Sequence, residues 1–62
     1  MRPEFKYLIE RLDGLIAHRV EDLAKGGAKD FAEYKHSAGV ILGLKQAAQE
    51  IETYGKAYDD DD

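Results

Sequence analysis

The 62-residue chain predicts an all-α fold, an antiparallel two-helix hairpin, on three observations. Apolar residues recur at steps of three and four and nowhere alternate with period two. The paired glycines Gly26-Gly27 interrupt the pattern near the middle. A capping signal, Asp30 with Glu33 three residues on, restarts it at once.

Helix one is expected over about residues 3–25. Phe5, Leu8, Ile9, Leu12, Leu15, Ile16, Val20 and Leu23 take amphipathic spacings with a broad apolar face. Pro3 suits the first turn, where its missing N–H would have no partner, and Glu4 favours the positive end of the helix dipole. Gly26-Gly27 supply a C-terminal cap and a reversal, so residues 26–29 form the loop. So short a connection makes the two helices antiparallel neighbours.

Helix two, expected over about 30–58, carries the cleaner pattern. Tyr34, Ser37, Ile41, Leu44, Ala48, Ile51, Gly55 and Tyr58 alternate steps of three and four, which is a heptad seam. Val40, Ala47 and Tyr54 run beside it at steps of seven and widen the stripe. The helix-helix interface is assigned to Gly39, Gly43, Ala47, Ile41, Leu44, Ala48, Ile51 and Tyr54, with Leu12 and Ile16 joining Ile41, Leu44, Ala48 and Ile51 in the core. Helix two is the longer, so its end at Tyr54 and Tyr58 is expected to outrun helix one. Residues 1–58 form the hairpin, and Asp59 to Asp62 are expected as an acidic, disordered tail, since like charges at the negative end of a dipole favour fraying.

Composition removes several function classes. Without cysteine there is neither a disulfide nor a thiolate metal site. The net charge of −4 equals the contribution of the four closing aspartates, which leaves nine acidic residues against nine basic ones. A balanced body is neither a basic nucleic-acid footprint nor an acidic mimic of DNA. Helix two opens with Asp30-Phe31-Ala32-Glu33, which repels phosphate, so nucleic acid is not the expected partner. No apolar run approaches the roughly 18 to 20 residues of a membrane span. MRPEFKYLIERL lacks the unbroken apolar stretch of a signal peptide, so a cytoplasmic location and no membrane partner are expected.

No catalytic, cofactor-binding or metal-binding set is expected. Gly26-Gly27-Ala28-Lys29 lacks phosphate-loop spacing. His36 and Ser37 point about 100° apart on a helix and cannot pair as base and nucleophile. His18 and His36 need further ligands to hold zinc and read as surface histidines.

The remaining signals concern packing. Gly39, Gly43 and Ala47 make a small-residue strip at steps of four, although each glycine costs a helix interior about 1 kcal/mol. Either these positions admit large side chains of helix one, or they let a helix of another chain approach closely. Association between chains is the favoured reading, because a hairpin is a single layer and helix one's apolar arc of about 140° exceeds what one partner covers. A dimer forming a four-helix bundle is expected. Phe31, Ala38 and Leu42, flanked by Lys35 and Lys45, offer a possible secondary interface, although Phe31 could instead pack over the turn. Arg19 falls inside the apolar arc as a possible buried charge. It could pair with Glu33, bond Tyr34 or Ser37, meet an anionic partner, or send its head to water along a packed stem.

The run EYKHSAGVILGLKQA, from Glu33 to Ala47, resembles short helical-hairpin proteins encoded among the structural genes of tailed bacteriophages. The resemblance covers about a quarter of the chain, all of it in helix two, and rests on packing residues. It implies a phage-encoded accessory protein acting in or near virion assembly through protein contacts, in the host cytoplasm or the virion. A small regulatory inhibitor, docking on a host protein through a helix face or its acidic tail, is the alternative that the same apolar anchors support.

Overall fold

In the computed structural model the chain is two α-helices, α1 (Pro3–Ala24) and α2 (Phe31–Asp60), packed side by side and antiparallel. The described residues are 1–60, without the side chains of 59 and 60. Half of the acidic run expected as a tail, Asp61 and Asp62, lies outside them. Through Asp59 and Asp60 the backbone completes the last turn of α2.

Arg2 precedes α1 in an extended conformation, φ −66° and ψ 147°, as a residue before proline should, and Pro3 begins the helix. At the other end the chain makes a complete glycine stop. Gly26 takes a left-handed φ of 81° and its N–H donates to the Leu23 carbonyl, while Gly27 N–H donates to the Asp22 carbonyl at 2.8 Å. A Cβ on Gly27 would lie 2.8 Å from that carbonyl oxygen, so the close approach itself requires glycine.

Helix α2 opens on the capping pair. Glu33 N–H donates to Asp30 Oδ1 at 2.9 Å, and Lys29 N–H donates to Glu33 Oε2 at 2.6 Å. The return bond therefore lands one residue before the cap, a displaced version of the reciprocal box.

The helices meet along a heptad seam. Phe5, Ile9, Leu12, Ile16 and Leu23 of α1 are half-buried against Ser37, Ile41, Leu44, Ala48, Ile51 and Gly55 of α2. Of the described residues only Ala48, at 9% exposure, forms a buried apolar core. The molecule is a rod of 49 × 15 × 11 Å. Its radius of gyration is 14.5 Å, against about 10.6 Å for a compact domain of this length.

The far end of α2 is covered by more than helix one. The Phe5 ring meets Tyr54 edge-on at 5.5 Å and Tyr58 at 6.2 Å, Arg2 places its guanidinium 4.4 Å over the Tyr58 ring, and Met1 packs on Gly55. The two residues before α1 thus fold over the stretch expected to project beyond it.

Candidate interaction surface

Antiparallel helices fix which flanks share a face. With Ile9, Leu12, Ile16 and Ile41, Leu44, Ala48 at seam positions a and d, the g positions are Leu8 and Leu15 on α1 and Val40, Ala47 and Tyr54 on α2. In an antiparallel pair the g flanks of both helices lie on one side and the e flanks on the other. The g face is apolar throughout its middle. Leu8, Leu15 and Tyr54 are 46%, 49% and 56% exposed, Ala47 is exposed and Val40 half-buried.

Gly39 and Gly43 border this face. A Cβ built at either meets nothing within 4 Å, so neither glycine makes room for a side chain of α1. Of the two uses the sequence leaves open, the one within a single chain is overturned. The contrast with Gly55 is direct, since a Cβ there would sit 3.0 Å from Met1 Cγ.

The e face is of mixed character. Phe31 and Leu42 are exposed, Ala38 is half-buried, and Lys45 and Glu52 stand beside them. Phe31 stacks on Tyr34 at 6.3 Å with Lys35 Nζ 5.7 Å from its ring centre, so part of its surface is used locally. The patch is narrower than the g face and broken by charge.

Arg19 needs a correction. It occupies a d position between Ile16 and Leu23, yet it is exposed, so of the readings open for it a buried charge is ruled out. A long stem carries the guanidinium past the edge of a seam only one layer deep. Val20 and Leu15, the two limits of the apolar arc on α1, are also exposed, 47% and 49%. A single partner helix leaves both edges of that arc uncovered.

One cleft opens at the hinge end of α2. It is a shallow, open depression of about 370 Å³ lined by Gly27, Ala32, Glu33, His36 and Ser37. Sequence reasoning missed it, because the reversal at Gly26 is what brings the loop beside the first turns of α2. His18 lies 4.0 Å from Asp22 on its own helix, apart from that cleft. Among the described residues no three His, Cys, Asp or Glu side chains converge where a metal could sit, and no helix is long and apolar enough to cross a membrane.

With the fold and its two faces defined, comparison with known proteins gives no match to any family model, curated protein or solved structure.

Proposed function

We propose that this chain is a non-catalytic protein–protein interaction module that works as a homodimer, two hairpins packed face to face as a four-helix bundle. One observation carries the reading: among the described residues Ala48 is the one buried apolar side chain, while Leu8, Leu15, Val20, Phe31, Leu42 and Tyr54 are exposed. A chain that hides so little apolar surface gains most by hiding more of it against another chain. Area points the same way. A compact 7.0 kDa chain exposes about 4,000 Å², whereas this one exposes 4901 Å². The surplus of about 900 Å² is close to the roughly 800 Å² per partner that a standard stable interface covers.

The phage-like segment from Glu33 to Ala47 supports a place for such a module as a virion-associated or assembly accessory protein, in the host cytoplasm or the particle. Its packing residues, Gly39, Ile41, Gly43, Leu44 and Ala47, belong to the seam or to the uncovered face.

Sedimentation equilibrium from micromolar to millimolar concentration tests the reading. The expected mass is twice 7.0 kDa at the upper end of that range. A folded single chain at every concentration would overturn it and leave the face to a foreign helix, as the inhibitor alternative requires.

A further inference from the structure

The uncovered face of α2 is arranged symmetrically about Gly43. Four residues to either side stand Gly39 and Ala47, seven to either side His36 and Glu50, eleven to either side Ala32 and Tyr54. All seven are exposed. Steps of four, three and four make an eleven-residue period, which keeps positions on one side of a nearly straight helix.

That order discriminates between the ways two copies could meet. Antiparallel pairing centred on Gly43 sets His36 against the partner's Glu50, Gly39 against the partner's Ala47, and Ala32 against the partner's Tyr54. Parallel pairing sets Glu50 on the partner's Glu50 and places like beside like along the whole face, which charge disfavours. At the crossing the facing residues are glycine and alanine, so the backbones can approach closely, and the adjoining Leu8, Leu15 and Val40 supply apolar area.

The cleft supplies an independent observation. Ala32 and His36, two of its lining residues, are the positions that face the partner's Tyr54 and Glu50 under this operator. Its lining joins the small residues Gly27 and Ala32 to the polar residues Glu33, His36 and Ser37, a mixed character that suits a phenol, apolar in the ring and polar at the tip. Tyr54 is 56% exposed, and its ring is held by Phe5 at 5.5 Å and Tyr58 at 5.6 Å, so little freedom remains to be lost on docking.

We propose that the g face is occupied by a second copy of the chain, antiparallel about a twofold axis at Gly43, with each Tyr54 ring seated in the hinge-end cleft of the other copy. This rests on the dimer reading above and adds its geometry. A chain without cysteine allows a direct test by engineered crosslinks. Under mild oxidation Gly43→Cys forms a covalent dimer. Gly39→Cys and Ala47→Cys form one only when mixed, because a disulfide needs Cα atoms about 4.4–6.8 Å apart. Should the reduced Gly43→Cys protein cease to dimerise, the mixed pair carries the test. Ala32→Phe, at an exposed position, fills the cleft and is expected to raise the dimer Kd at least tenfold with helicity unchanged. Crosslinking of Gly39→Cys with itself would mean parallel pairing and overturn the proposal. A dimer by sedimentation that forms none of these links, or that tolerates Ala32→Phe, would overturn the geometry while leaving the dimer reading standing. A chain that stays single at millimolar concentration overturns both.

Discussion

Glycine does three different things in this chain, and each has its own mutational signature. Gly26→Ala forces a side chain into a left-handed φ and is expected to cost about 1–2 kcal/mol; Gly27→Ala meets the Asp22 carbonyl and is expected to cost more than about 1 kcal/mol. Gly39→Ala has open space before it. In the dissociated chain it is expected to gain up to about 1 kcal/mol of helix propensity, while weakening dimerisation. Urea denaturation at low concentration, paired with sedimentation, separates the two effects. A Gly39→Ala protein that gains in both would place the strip outside any interface. The sequence marks all three kinds of glycine by position, but only the built backbone separates a required reversal from an empty flank. Arg19 keeps the wheel position the sequence assigns but not the burial offered as a possibility there: a helical wheel assigns an angle, and depth depends on how thick the layer on the other side is.

At the scale of the helices, the ends were legible because capping is local chemistry. Pro3, Gly26-Gly27 and the Asp30 cap each act within a few residues of the boundary they set. The seam was legible because Leu12, Ile16, Ile41, Leu44, Ala48 and Ile51 obey one period. The contacts of Met1 and Arg2 with Gly55 and Tyr58 were not, since they join the two ends of the sequence and leave no periodic trace. Asp30→Ala is expected to cost about 1 kcal/mol, measured by urea denaturation, with the loss of helicity confined to the first turn of α2. Glu33→Ala should cost part of the same amount, because it frees Lys29 N–H from its carboxylate partner. Breaking the exposed pairs Lys25–Glu21 and Lys56–Glu52, each 3.1 Å, is expected to change stability by no more than about 0.5 kcal/mol.

For the molecule as a whole, stability and concentration are expected to be inseparable. If unfolding and dissociation coincide, a tenfold rise in protein concentration adds about 1.4 kcal/mol per dimer, which corresponds to roughly 5 °C in Tm for two chains of this size. Calorimetry over two decades of concentration checks this, and a Tm independent of concentration would count against the dimer. Composition bounded this scale well, since a short chain without cysteine has few ways to be reinforced. It said nothing of the cleft, whose walls join the loop glycine Gly27 to the first turns of α2.

The tight glycine turn has a kinetic consequence as well. Seam positions nearest it, such as Leu23 and Ser37, are separated by the shortest stretch of chain, whereas Phe5 with Tyr54 encloses most of it, so closure is cheapest beside the turn and dearer with each heptad outward. The hairpin should therefore zip rapidly from Gly26 outward, and amide exchange should be fastest at the Phe5 end, where the last aromatic teeth engage.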